Sequence, residues 1–312
     1  FELETVLQQL AKVKKVEQID VVVVSKSGTT TETTGNAAVL LEALKQQFGK
    51  GIYQQTVFIG DKGNPLLQSG KRLGAHVVPM PTIVGGRYSV FTSVGLVPLA
   101  LLGHDIDTLL QGLKDASSGP YEEATAESAT RLYWYLKKGV RTVNFFACDT
   151  RLVRLGKWYR QLAAESLGKE ITRDGKPVKV GFVPTISTPV ELHSVGQLYF
   201  SGFAGVYTDF VSFEDTEYDE VVPKKTTLAK SLKGTSLQDI AAAIYGGVIG
   251  AYQERELPYR ATEFGSDLTY ALGLFMGMRM LETMYVAELM NVNAFDQPNV
   301  ELYKTITNNL LQ

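Results

Sequence analysis

At 312 residues and 45% hydrophobic content, the chain can fill two domains of ordinary size or one large α/β unit. Its net charge of −2, with no dense Lys/Arg block, argues against nucleic acid or an anionic membrane as a partner. The lone cysteine, Cys148, excludes a disulfide within the chain and argues against a cysteine-based metal site; following the apolar run VNFF, it reads as a small buried hydrophobe in a reducing cytoplasm.

The first informative stretch is IDVVVVSKSGTTTET, residues 19–33. Val21 to Val24 predict a strand buried on both faces. The loop Ser25, Lys26, Ser27, Gly28, Thr29, Thr30 and Thr31 follows, and then the helical pattern NAAVLLEALKQQF. Thr29 and Glu32 have the spacing of a capping box, which predicts a helix start at or near Thr29. Such a unit aims backbone N–H groups, hydroxyls and one ammonium at a point above the sheet. A phosphate fits there, as an anion with several acceptor oxygens. The plainer alternative is an ordinary Ser/Thr-rich helix cap.

Strands and helices go on alternating. TVFIG (56–60) predicts a strand, NPLLQSGKRLG (64–74) a helix and AHVVPM (75–80) a strand. A connection containing GGRYS leads to a long apolar helix. Residues 104–140 are polar and mostly helical, with a Ser-Ser-Gly-Pro break at 117–120 as a candidate domain boundary. The apolar stretch 89–103 contains Pro98 and is too short to cross a bilayer. Residues 269–290 carry Arg279, Glu282 and Glu288, as a core helix would. No membrane span is expected, and no signal-peptide pattern opens the chain. Because the chain starts at Phe1 and not at Met, it is expected to begin inside a longer gene product.

A second alternation begins with VNFFAC (143–148) as a strand and 151–168 as a helix ending at Gly168. VKVGFV (178–183) predicts a strand, ISTPVELHSVGQLYFSG a loop and helix, and GVYTDFVSF (205–213) a strand. The helix DIAAAIYGGVIGAYQEREL and long C-terminal helices complete the chain. This order predicts parallel sheets covered on both faces. The halves also rhyme: VGFVPTISTPVEL repeats the strand, Ser/Thr loop and capping box of VVVVSKSGTTTET, here with Thr188, Glu191 and Pro189 at the first helical position. Ligands of such folds sit at the carboxyl edge of the strands.

Several side chains suit chemistry. Trp158, Gln161, Leu162 and Glu165 share one helical face, where a carboxylate beside Trp and Leu would be partly desolvated and suited to act as a general base. An i, i+4 ion pair from Glu165 to Lys169 is the structural alternative. His193, one turn into the helix capped by Thr188, suits proton exchange near neutrality; the alternative is a satisfied histidine at an element end. Arg87, projected by Gly85 and Gly86, suits an anion or enolate, against a solvent-facing arginine on a glycine-rich turn. Lys304 lies on a helix starting near Pro298, where a surface lysine is the bland reading. Glu32 and Glu191 are assigned to capping, and His76 and His104 to structural positions.

Taken together and in order, five segments resemble the phosphoglucose isomerase family, over nearly the whole chain. SKSGTTTET (25–33) is similar to its phosphate loop in the first sugar-isomerase (SIS) domain, and VGGRYSVFTSVGL (84–96) to its Gly-Gly-Arg motif. RQLAAESLGKE (160–170) resembles the segment with the catalytic glutamate, ELHSVGQL (191–198) the His-Ser…Gln segment, and FDQPNVELYK (295–304) the closing Gln…Val-Glu-x-x-Lys motif.

The resemblance implies an α/β fold of two SIS-type three-layer αβα sandwich domains, with mainly parallel sheets and long C-terminal helices. The expected divisions are residues 1–117, 118–290, and a C-terminal segment 291–312 returning to the active site. The implied activity interconverts glucose 6-phosphate and fructose 6-phosphate through a cis-enediolate. Ser25, Lys26, Ser27 and Thr30 would hold the phosphate, and Glu165 would move a proton between C2 and C1. Arg87 would stabilise the enediolate, His193 and Lys304 would assist ring opening, and Gly86 and Gln161 would position the sugar. No metal or cofactor is implied. The resemblance further implies a cytoplasmic homodimer with His193 contributed across the interface.

Some positions depart from the family pattern. Ser27-Gly28 replaces a common Thr-Phe, and Asn299 replaces a Gly, with Asn expected to tolerate a left-handed turn. The Gly-Gly-Ser strand upstream of the phosphate loop is missing, so the first domain is expected to be incomplete, to lack one phosphate donor and to expose apolar surface. The alternatives are a dual phosphoglucose/phosphomannose isomerase, part of a fusion enzyme, or a non-catalytic SIS module that binds a sugar phosphate. A sensor needs the loop but not the base.

Overall fold

The structure, a computed structural model, describes residues 2–201, 205–213 and 219–310. Phe1, the Gly202 end of the loop-and-helix segment and the last two residues of the expected 291–312 segment lie outside the described residues. Contacts divide the chain into two units, 1–106 and 107–312. The Ser-Ser-Gly-Pro break therefore falls inside the second unit, where its Gly and Pro form the first positions of a helix.

The first unit contains α1 (Glu2–Leu10), β1 (Val21–Val24), α2 (Thr31–Phe48), β2 (Thr56–Asp61), α3 (Pro65–Leu73), β3 (His76–Met80) and α4 (Ser93–Leu101). Its sheet is wholly parallel, in the order β1-β2-β3, with Val23 opposite Phe58 and Ile59 opposite Val78. Val21 and Val23 pack with Leu41 and Leu44 of α2, Ile52 and Phe58. Val22 and Val24 are only half-buried, so the strand is not sealed on both faces as expected. β1 is an edge strand with one well-covered face.

α2 begins at Thr31, with Thr30 as its N-cap residue. The expected Thr29–Glu32 capping box does not form. Thr29 turns back instead, its hydroxyl donating to Ser27 Oγ at 2.9 Å and its N–H to the same oxygen at 3.2 Å. A local side-chain turn has displaced the helix cap.

The second unit contains α5 (Ile106–Asp115, starting at the boundary), α6 (Gly119–Lys137), β4 (Thr142–Ala147), α7 (Val153–Leu167), β5 (Val183–Ser187), α8 (Gly196–Phe200), β6 (Val206–Phe213), α9 (Leu237–Glu254), β7 (Tyr259–Phe264), α10 (Leu268–Leu289) and α11 (Glu301–Leu310). All four strands run parallel, in the order β5-β4-β6-β7. Successive phenylalanines of β4 define the layers. Phe145 meets Tyr159 of α7 and Phe275 of α10, while Phe146 packs with Phe210 of β6 and with Val248 and Tyr252 of α9. Helices therefore cover both faces of the sheet.

Two sequence expectations are corrected here. The strand expected at 178–183 begins only at Val183, where Thr142 of β4 first comes alongside to pair with it. β7 was not expected at all, because YRATEF carries Arg260 and Glu263 where an apolar strand pattern would be sought. Arg260 is tolerated because it is paired in the interior. Its guanidinium meets Asp209 of β6 at 2.6 Å and also bonds Glu282 of α10. Arg279 joins Asp209 at 3.1 Å and Glu282 at 3.3 Å, and Ser128 donates to Glu282 at 2.6 Å. Two cations and two anions thus close a buried set in which every charge has an opposite neighbour. α10 is the expected core helix, and no described helix is long and apolar enough to cross a membrane.

Candidate active site

In the first unit, the loop after β1 is tied down from several sides. Ser25 is buried, and its hydroxyl lies 2.9 Å from that of Thr30. The Gly28 N–H donates to Ser25 Oγ at 3.2 Å. The loop turns at Gly28, where φ is +74° and an added Cβ would come within 2.8 Å of Asn64 Cγ and 2.9 Å of the Leu66 nitrogen. Only glycine meets both conditions without strain. Asn64 is the unforeseen support of this loop. Its amide donates to the carbonyls of Ser25 and Lys26 at 3.1 and 2.8 Å, while its Oδ1 caps α3 by accepting from the Leu67 N–H. The sequence signal was an Asn directly before Pro65, at the start of a helix.

Lys26 Nζ donates to the carbonyls of Thr82 and Val84 at 2.9 and 3.0 Å. It thereby fastens the phosphate-loop candidate to the segment leading into Gly85-Gly86-Arg87. An ammonium has three N–H donors, so one is left for an anion. Arg87 is 4% exposed, which removes the solvent-facing alternative, and its guanidinium lies over the Tyr88 ring. The glycines before it are not needed for unusual backbone. Gly85 is extended at φ −71°, and neither glycine has positive φ, because the chain enters the 3₁₀ turn 86–91 through an ordinary extended residue.

In the second unit, α7 carries the candidate base. Gln161 donates through Nε2 to Glu165 Oε1 at 3.0 Å, so the amide one turn earlier orients the carboxylate. Lys169 Nζ reaches the backbone carbonyl of Glu165 at 2.6 Å and the Asp296 carboxylate at 3.1 Å. Lys304, on α11, donates to Glu301 at 2.7 Å. That bond raises the ammonium's pKa, burial opposes the rise, and the charge of Glu165 adds a smaller push upward. Asn299 lies in the 3₁₀ turn 298–300 without positive φ, so no left-handed residue is required there.

His193 is exposed and ends the 3₁₀ turn 189–193, so it does not lie one turn into a longer helix. Thr188 donates to the Glu191 carboxylate from both its N–H and its hydroxyl, which lowers the pKa of Glu191 and leaves it ionised as a cap. Cys148 packs at the edge of the Phe146–Phe210 cluster, and burial pushes its thiol up to about 12. The residue is half-buried and not fully buried as the sequence suggested, and a thiol so raised carries little thiolate near neutrality.

Within each unit, the structure brings together Ser25 with Thr30, Lys26 with the approach to Arg87, and Glu165 with Gln161. His193 is separate from this last group. α7 runs antiparallel to the strands, since Gly156 near its start lies against Phe145 and Ile186 at the carboxyl ends of β4 and β5. Glu165 therefore lies toward the amino edge of the sheet, about 13 Å further along the helix axis, whereas His193 follows the carboxyl end of β5.

Comparisons with known proteins agree on one relationship. The family profile described as phosphoglucose isomerase matches residues 2–241. A glucose-6-phosphate isomerase of Thermus thermophilus is 35% identical over 292 residues, covering 91% of this chain and 69% of the relative. One from Clostridium tetani is 29% identical over 310 residues, covering 96% and 68%. The chain thus spans about two thirds of the length of these relatives. Among solved structures, a hypothetical protein from Thermus thermophilus superposes with a TM-score of 0.88 at 33% identity, covering 98% of this chain and 74% of that one. A glucose-6-phosphate isomerase from Chlamydia trachomatis shares the fold, with a TM-score of 0.80 at 20% identity, covering 99% and 62%.

Proposed function

The chain belongs to the phosphoglucose isomerase family, and on that premise we propose that it interconverts D-glucose 6-phosphate and D-fructose 6-phosphate in the cytoplasm. The observation that carries this reading is the Gln161–Glu165 bond at 3.0 Å, which fixes a carboxylate one turn from an amide on α7. Proton transfer α to a carbonyl needs one fixed base and positive groups where charge develops, and a sensor of sugar phosphates needs neither.

Each residue has a chemical role in this proposal. Ser25, Lys26, Ser27 and Thr30 bind the substrate phosphate, and the binding energy of that remote group orients the sugar. Lys304 and His193 move protons at the ring oxygen and O1 to open the ring. Glu165, held by Gln161, takes the proton from C2 and returns it to C1. Arg87 stabilises the negative charge of the enediolate between these steps, and Gly86 leaves room for the sugar. The placement of His193 supports a homodimer in which the partner's copy of this histidine completes the proton shuttle.

The test is exchange of the C2 proton of glucose 6-phosphate with solvent. The protein should catalyse it, and Glu165→Gln should lower it by about a hundredfold or more, the usual weight of a positioned base, while a polyol phosphate still binds. Full exchange by the Gln variant would remove Glu165 from the role.

A further inference from the structure

Lys169 occupies an unusual place for an ammonium. Its side chain is 6% exposed, and it bonds two backbone carbonyls and a carboxylate on segments far apart in sequence. Nζ donates to the Glu165 carbonyl at 2.6 Å, to the Asp296 carbonyl at 2.5 Å, and meets Asp296 Oδ1 at 3.1 Å. The first is one of the last four carbonyls of α7, which have no partner within the helix, and a cation there also complements the helix dipole. Gly168 makes the turn possible. An added Cβ on it would lie 2.5 Å from the Ala164 carbonyl, so the chain passes tightly over the helix end and delivers Lys169 back beneath it.

The two segments that Lys169 joins each carry a reactive side chain. Glu165 stands on the final turns of α7, and Asp296 precedes the 298–300 turn from which α11 and Lys304 start. A second tie lies further out on the same loop. Arg173 donates its N–H to the Asn291 carbonyl at 2.7 Å, while its guanidinium holds the Val292 carbonyl and the Glu288 carboxylate. The loop after α7 thus grips the α10–α11 connection at two points, and Lys169 is the inner one.

Resting on the isomerase reading above, we propose that Lys169 is a positioning residue: its ammonium sets the spacing between the Glu165 carboxylate and the Lys304 ammonium by fastening the end of α7 to the root of α11. It touches no reacting atom. Loss of the tie leaves phosphate binding intact and displaces the base relative to C2, and a displacement near 1 Å is enough to slow proton transfer.

The experiment compares the parent protein with Lys169→Met, Lys169→Arg and, as an outer-tie control, Arg173→Met, using fructose 6-phosphate and 2-deuterated glucose 6-phosphate. Lys169→Met should lower kcat about tenfold to a hundredfold, change KM less than about threefold, and enlarge the deuterium isotope effect as C–H cleavage becomes rate-limiting. Lys169→Arg should recover a large part of kcat, because a guanidinium can still bond both carbonyls. Arg173→Met should lower Tm without altering the isotope effect. If Lys169→Met does not fold, Asp296→Asn carries the same test, since it keeps the carbonyl and the volume but weakens the tie. An unchanged kcat and isotope effect in a folded variant would overturn the proposal. A parent protein without isomerase activity would overturn the reading of function, and this inference with it.

Discussion

Glu165 and His193 lie toward opposite edges of the same parallel sheet, one near the end of the helix that descends from β4 and the other just past the top of β5. This follows from the right-handed crossover that joins parallel strands. The return helix must run the length of the sheet, so residues late in it and residues after the next strand are separated by about that length. In the proposed mechanism, the two groups that act on one sugar would come from different copies of the chain.

Complementation tests this directly. Glu165→Gln and His193→Gln should each be nearly inactive alone. Mixed and reassembled, they should regain roughly a quarter of parental activity, because half the dimers are mixed and one of the two sites in each is intact under two-fold symmetry. No recovery, with mixed dimers demonstrated by tagged subunits, would place His193 and Glu165 in one subunit's site.

A second expectation concerns the loop after β1. Gly28→Ala should impose both a positive φ on alanine and a clash with Asn64, costing about 1–3 kcal/mol and weakening affinity for a polyol phosphate. Asn64→Ala should act in the same direction by releasing two loop carbonyls and a helix cap. Calorimetric titration with sorbitol 6-phosphate checks both. Unaltered affinity in folded variants would detach this loop from phosphate binding.

Much of this arrangement was legible in the chain. The valine run, the TVFIG strand, the helix before Gly168 and the apolar α10 announce themselves because their periodicity is local. The ordered motifs placed Glu165, Arg87 and Lys304 in one family pattern. What the sequence hid was long-range. Asn64 supports Ser25 and Lys26 from 39 and 38 residues away, and Lys26 finds its carbonyl partners at 82 and 84. β7 was missed because Arg260 looks unfit for a strand interior until Asp209 and Glu282 are known to face it. A one-dimensional pattern reports a burial preference and cannot report which distant group satisfies a buried charge.

The thiol gives a simple check on that interior. With burial pushing Cys148 up to about 12, the native protein should react with a thiol reagent at pH 8 far more slowly than the same chain in denaturant. Prompt labelling of the native protein would show that partial burial does not hold this thiol in its protonated form.

The buried charge set predicts a distinctive acid response. Burial alone would raise the Glu282 carboxyl, but the guanidiniums of Arg260 and Arg279 outweigh it and hold the group at about 2, against an ordinary 4.5. A carboxylate whose pKa is depressed by folding adds stability above its unfolded value and loses it as pH falls through the folded one. The parent protein should therefore lose stability progressively from about pH 4.5 toward pH 2. Glu282→Gln keeps the volume but leaves the two arginines facing a single anion, Asp209. It should cost about 3–5 kcal/mol near neutrality, as expected for one missing partner of a buried pair. Its stability should also fall less steeply with acid, since the group that would be protonated is gone. Thermal melts of both proteins from pH 6 to pH 3 separate these effects: parallel curves would show that Glu282 is not held in its charged form by Arg260 and Arg279, and that the acid sensitivity of this fold lies elsewhere.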